Sequence, residues 1–382
     1  MPATNKIRVI IGLSGGVDSA VAALLLKQNG FALEAVYMEN WEDDDEQNYC
    51  SNAQDFQDAR QVCEQLDIPL HKVNFASEYR ERVFSYFLDA YASGRTPNPD
   101  VMCNTEIKFQ CFLEYAQRLG AQLIATGHYA RSSEAANRMR LLRAADSGKD
   151  QSYFLHGISQ NALRNTLFPI GDLLKRDVRK LARAAGFANH AKRDSTGICF
   201  IGERKFSNFL RRYLPAQPGD IETPEGEQLG KHQGLMYYTL GQRQGLGIGG
   251  RKKSSGKPWY VAGKNLQRNV LVAVQDRDHP LLLHRSLLAV NPHWISGKAP
   301  GEFFNCTAKS RYRQPDQDCL VRILDDRCCR VEFMQAQRAL TPGQYVVFYS
   351  GQQCLGGGTI DQVGEHIQSG FPGIATRART AA

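Results

Sequence analysis

The stretch Val9-Ile10-Ile11-Gly12-Leu13-Ser14-Gly15-Gly16-Val17-Asp18-Ser19 limits the folds open to this chain. A β-branched run enters a Gly-rich turn, and an apolar helix from Ala20 to Lys27 leaves it. Gly15 and Gly16 lack a Cβ, so the backbone can close around an anion. The N–H groups of the first helical turn point at whatever is bound there, and Ser14 and Ser19 add hydroxyl donors. No Gly-Lys-Ser/Thr follows, which excludes the P-loop, and the spacing of Gly12, Gly15 and Gly16 is not G-x-G-x-x-G. The alternative is a plain strand-to-helix turn, which five residues fixed in this context make the poorer reading.

The first 200 residues repeat this plan. Strands are expected at Arg8–Ile11, Leu33–Met38, Leu70–Asn74 and Gln122–Ala125, and helices at Ser19–Gln28, Ala53–Leu66, Tyr79–Ser93 and Lys108–Leu119. Apolar strands alternating with helices imply a parallel sheet covered on both faces. Ligands then bind at the carboxyl ends of the strands, where the Gly15-Gly16 turn lies. Met38 would stand there beside an adenine. Thr126-Gly127-His128-Tyr129-Ala130 would reach the same edge, with His128 read as a ligand contact. Glu39 to Glu46 is an acidic loop containing Trp41, read as solvated rather than as a Mg²⁺ holder. Gln160 to Ala185 is helical with a break at Pro169 and Gly171, and Lys205–Tyr213 is a basic amphipathic helix. Short β-rich runs then alternate with turns to about Thr359. They include Tyr260–Gly263, Val270–Val274, Phe304–Lys309, Leu320–Leu324, Arg330–Phe333 and Tyr345–Tyr349, the texture of small antiparallel units or a barrel.

A length of 382 residues suits two or three domains. The longest apolar run, Ala20 to Leu26, is far short of the ~20 residues of a membrane span. Met1 to Lys6 is polar and lacks a signal core, so a cytoplasmic enzyme without a membrane partner is expected. The ten cysteines include no C-x-x-C and none at zinc spacing with histidine, so no metal site is expected. Cys63 and Cys111 lie among apolar helical neighbours and read as core. The net charge is +8, and Gln228 to Gln275 holds no acidic residue while carrying Lys231, Arg243, Arg251, Lys252, Lys253, Lys257, Lys264 and Arg268. With Tyr237, Tyr238, Trp259 and Tyr260 interleaved, this block favours nucleic acid over a solvated basic face.

Two further stretches carry candidate chemistry. Asn98-Pro99-Asp100-Val101-Met102-Cys103-Asn104 is a loop stiffened by Pro97 and Pro99, ahead of a helix that Asn104 or Thr105 can cap. Cys103 near that helix start should have a lowered pKa, and Asp100 could serve as acid or base. A buried structural thiol is the alternative, which the polar surroundings disfavour. Ser195-Thr196-Gly197-Ile198-Cys199-Phe200-Ile201-Gly202 sets a cysteine between glycines, and taken alone core packing is its better reading. Lys149-Asp150-Gln151-Ser152-Tyr153-Phe154 fits a phosphate or base contact and an ordinary polar loop equally well.

S-G-G-x-D-S after a strand resembles the ATP pyrophosphatase loop. Taken with N-P-D-V-M-C-N, T-G-H-Y-A, K-D-Q-S-Y-F-L, G-I-C-F-I-G, Y-Y-T-L-G-Q-R-Q-G-L, R-Y-R-Q and P-G-Q-Y-V-V-F-Y, the chain is similar to the tRNA-specific 2-thiouridylases, which place sulfur on C2 of the wobble uridine. The resemblance implies an N-terminal ATP pyrophosphatase domain (1–202), a small central tRNA-binding domain (203–275), a C-terminal antiparallel β-barrel (276–362) and a tail (363–382). It implies ATP, expected with Mg²⁺, at Gly12, Leu13, Ser14, Gly15, Gly16, Val17, Asp18, Ser19, Met38 and Gly127. It assigns the target base to Asn98, Pro99 and Asp100. It assigns tRNA to His128, Lys149, Asp150, Gln151, Arg311, Tyr312 and Gln344. Cys199 matches the persulfide carrier, Cys103 its partner nucleophile, and Cys103–Cys199 the disulfide left behind. The implied partners are the anticodon stem-loop of tRNA and a persulfide donor protein. An ammonia-using ATP pyrophosphatase would leave the paired cysteine motifs unexplained. A non-enzymatic sulfur carrier would leave the ATP loop unexplained.

Overall fold

A computed structural model describes residues 6–41, 46–194, 209–249 and 256–364, with 46–52 described by backbone alone. The first sheet comprises β1 (Arg8–Gly12), β2 (Ala32–Glu39), β3 (Leu70–Asn74) and β4 (Leu123–Ala125). After β4 come a hairpin, β5 (Ala130–Ala135) and β6 (Arg138–Arg143), and then β7 (Thr166–Leu167). The order β3-β2-β1-β4-β7 is parallel throughout. Val9 and Ile11 face one apolar cluster and Ile10 the other, so β1 is buried on both faces. Chain order reverses between β1 and β4, which opens a crevice beyond their carboxyl ends.

The helix of the opening motif, α1, spans Val17–Gln28. The expected helix at Ala53–Leu66 starts earlier, at Glu46. A larger difference concerns Cys103. The chain is helical from Pro99 to Arg118, with turns widened to i→i+5 over Cys103–Cys111. The cap is therefore Asn98, whose side chain accepts from the Asp100 N–H (3.2 Å), not Asn104 or Thr105. Pro99 at N1 has no N–H to lose, so the residues read as a loop begin a helix.

The small central sheet, in the order β10-β11-β8-β9, comprises β8 (Gly219–Glu222), β9 (Gln228–His232), β10 (Trp259–Asn265) and β11 (Val270–Gln275). Strands β12 (Leu283–Trp294), β13 (Phe303–Lys309), β14 (Gln317–Asp325), β15 (Cys328–Arg338), β16 (Tyr345–Ser350) and β17 (Gln353–Val363) follow. They run β12-β15-β14-β13-β16-β17, and β12–β17 pairing closes an antiparallel barrel. The hairpin after β4 joins this barrel, since β6 pairs with β17 through Leu142↔Gln353 and Leu141↔Cys354. Its two-residue turn holds Ala136 and Asn137 at φ 50° and 59°. That turn carries no Asn-Gly or Asp-Gly signal, so the sequence does not announce the hairpin.

Candidate active site

The cradle forms as expected at the end of β1. Gly16 caps α1 without a side chain, which leaves its first-turn N–H groups to an incoming anion. Gly15 has φ +75°, and a Cβ there would lie 2.2 Å from the Asp55 carbonyl oxygen, so only glycine fits. Ser19 is buried and works within the loop: its Oγ accepts from the Ser14 N–H (3.2 Å) and donates to the Gly16 carbonyl (3.1 Å). Ser14 is the exposed hydroxyl. Met38 does reach the loop, with its methyl 3.0 Å from where a Gly12 Cβ would stand. A Cβ on Gly127 would sit 2.6 Å from the Ser19 nitrogen, so the loop after β4 packs on the start of α1.

Asp18 is not open to solvent on its own terms. The Tyr129 hydroxyl donates to it (2.8 Å), and Lys175, 9% exposed, holds both of its carboxylate oxygens at 2.7 and 2.8 Å. Lys175 also meets Asp194 at 2.7 Å, where Lys149 (2.5 Å) and Arg179 (3.0 Å) converge. Burial would raise the Asp194 carboxyl, but the hydrogen bonds and charges of Lys149 and Lys175 bring it down to about 2. From the same segment, Asn189 donates to the Gly15 carbonyl (3.0 Å), and Lys192 pairs with Asp55 and Asp58. Among the described residues, no group of three or more His, Cys, Asp or Glu is placed to hold a metal ion.

Asp100 and Cys103 stand one turn apart, on the same side of their helix. Cys103 is 1% exposed and lies in the apolar cluster with Val101 and Ile107, more deeply buried than its polar sequence neighbours suggest. No disulfide joins the cysteines among the described residues. Cys199 lies outside them, as do Arg251, Lys252, Lys253 and the start of the helix expected at Lys205.

Residues 7–203 match the family described as tRNA methyl transferase HUP domain, 207–275 its PRC-barrel domain, and 284–360 the aminomethyltransferase beta-barrel domain. A tRNA-specific 2-thiouridylase MnmA of Methylococcus capsulatus is 60% identical over 93% of this chain and 96% of its own length. Its counterpart in Marinobacter nauticus is 56% identical over 93% and 91% respectively, and that of Methylobacillus flagellatus 56% over 93% and 99%. The chain belongs to the tRNA-specific 2-thiouridylase family. It is a tRNA uridine sulfurtransferase.

Several residues that the resemblance assigns to tRNA are held internally in this 2-thiouridylase. His128 is buried, with Nδ1 2.9 Å from the Thr126 hydroxyl, and burial, aided by the Lys108 charge, keeps its pKa well below the ordinary value. Asp150 is buried and accepts from the Ala144 and Ser152 N–H groups (3.0 and 3.2 Å) and the Ser152 hydroxyl (2.9 Å). The Gln151 side chain accepts from the Tyr129 N–H (2.8 Å). Lys149 carries the Asp194 bond already described. Tyr312 packs on Phe154 (centroids 4.5 Å apart), and exposed Arg311 donates to the Ala339 and Leu240 carbonyls (2.8 and 3.2 Å). Gln344 donates to the Thr96 and Pro97 carbonyls (2.8 and 3.3 Å).

The basic block is less available than its sequence suggests. Lys231 pairs with Asp220, Arg268 with Glu222 and Lys257 with Asp276, all acids flanking the window. Tyr238 is buried, and Tyr237 and Trp259 pack against the same small core. Trp41, expected in a solvated loop, is likewise buried, near Tyr79 and Phe84. Sequence reasoning missed Tyr129, Lys175, Arg179 and Asp194. Tyr129 stands in the T-G-H-Y-A motif without a role of its own, and for Lys175 and Arg179 the signal is a helix, Lys175–Ala184, that starts on Lys175 and places Arg179 one turn later.

Proposed function

We propose that this enzyme thiolates C2 of the wobble uridine by adenylation followed by persulfide transfer. The uracil C2 oxygen is a poor leaving group; its attack on the α-phosphate of ATP expels pyrophosphate and turns it into one that leaves as AMP. Residues 12–19, Met38 and Gly127 hold the nucleotide, and any Mg²⁺ enters as its counter-ion. Asn98, Pro99 and Asp100 meet the target base, which is unstacked from the anticodon loop. The sulfane sulfur of a Cys199 persulfide adds at C2 as AMP departs. Cys103 then attacks the Cys199 sulfur, freeing 2-thiouridine and leaving a Cys103–Cys199 disulfide that an external reductant resets. Lys149, Gln151, Arg311, Tyr312 and Gln344 contact tRNA, while buried His128 and Asp150 hold the adjoining turns through Thr126 and Ser152. A persulfide donor protein loads Cys199 in the cytoplasm.

The observation that carries this reading is the Asp18–Lys175–Asp194 network. It ties the phosphate loop to the residue just before the stretch that contains Cys199. The test is pyrophosphate release. Wild type should release it in a tRNA-dependent manner, and Asp18→Ala should lose at least 90% of that release while still binding tRNA. Full release by Asp18→Ala at saturating ATP and tRNA would remove the assignment of this loop.

A further inference from the structure

Residues 94–97, just before Asn98, are gripped from two other parts of the molecule. Gly94 ends the preceding helix at φ +75°, and the Arg95 N–H returns to the Ala90 carbonyl (2.9 Å), a C-terminal cap. The Lys264 ammonium of the central sheet donates to the Gly94 carbonyl (3.0 Å), a cation at a helix C-terminus. From the barrel, Asp361 pairs with Arg95 (2.5 Å), the Pro342 carbonyl accepts from the Thr96 N–H (3.0 Å), and Gln344 holds the Thr96 and Pro97 carbonyls. The approach at Gly343 is close: a Cβ there would lie 2.9 Å from the Thr96 nitrogen. Pro97 and Pro99 leave little slack between this segment and Asp100.

We propose that Lys264 and Asp361 are positioning residues for thiolation, which fix residues 94–97 from the central sheet and the barrel and thereby set the pose of Asn98 and Asp100 toward the target base. The inference rests on the proposed base-facing role of Asn98, Pro99 and Asp100. Neither side chain needs to touch tRNA. Each acts on the rate at which bound uridine is adenylated, not on how tightly tRNA is held.

The experiment compares wild type, Lys264→Met, Asp361→Asn and the double variant in the full-length protein. Single-turnover pyrophosphate release is followed at saturating ATP and unmodified tRNA, with tRNA affinity measured by filter binding and unfolding by heat. Each single variant should slow release about tenfold, with tRNA affinity within twofold of wild type and an unchanged unfolding midpoint. The double variant should lose less than the product of the two, because both act on one segment. Wild-type rates in both variants would overturn the inference, and so would weakened tRNA binding with the saturated rate intact. If Lys264→Met does not fold, Asp361→Asn decides alone. Absence of tRNA-dependent release from wild type itself would instead strike the functional reading.

Discussion

Asp194 shows what a single residue does in this site. Three cations, Lys149, Lys175 and Arg179, converge on one carboxylate, and Lys175 hands the connection on to Asp18. The folded carboxyl titrates near 2, below the ~3.9 of an unfolded aspartate. The unfolded chain therefore binds the extra proton between about pH 4 and 2, and the stability Asp194 contributes is present above that window and lost as pH falls through it. Asp194→Asn should be less stable than wild type at pH 7, and the gap should close between pH 4 and 2, as denaturant unfolding across pH would show. A constant gap would mean that the charge does not matter. At this scale the sequence is legible where glycine is obligatory, as at Gly15, or where apolar neighbours bury a thiol. Cys63 is such a case, its pKa pushed up to about 12 by burial. It is not legible for Lys175 or Asp194, whose pairing depends on a fold that brings distant positions together.

Among the elements, four of the five parallel strands were readable: β1, β2 and β4 are largely apolar runs and β3 occupies the expected residues, whereas the two-residue β7 lies inside a stretch read as helical. Helix starts were harder. Asn98-Pro99 resembles a loop until the proline is recognised as a first-turn residue, and that one shift moves Cys103 from a helix start to a buried turn. The β5–β6 hairpin was invisible because its pairing partner lies more than two hundred residues away, on β17. Leu141 is fully buried at that junction, and Arg143 lies 3.7 Å over the Tyr349 ring while pairing with Asp316 (2.8 Å). Leu141→Ala should cost about 2–5 kcal/mol, read as a lowered urea midpoint. A loss below about 1 kcal/mol would mean that the hairpin is not a working part of the barrel wall.

Across the whole molecule, contacts tie three sheets together. The first supplies the crevice between β1 and β4, the barrel absorbs a hairpin from the N-terminal half, and the central sheet reaches Gly94 through Lys264. The +8 charge of the chain points to a polyanion, but several cations of the acid-free window are already paired, so net charge alone overstates the basic surface. Among the described residues no helix is long and apolar enough to cross a membrane. In the proposed mechanism sulfur passes from Cys199 to uridine with Cys103 as the second thiol. Persulfide-loaded enzyme should be given ATP and tRNA for one turnover without reductant, then mapped by mass spectrometry under non-reducing conditions. The expected product is a Cys103–Cys199 disulfide, whose Cα atoms must come within ~7 Å, with no thiolation by Cys199→Ser. Full multiple-turnover thiolation by Cys199→Ser would contradict it.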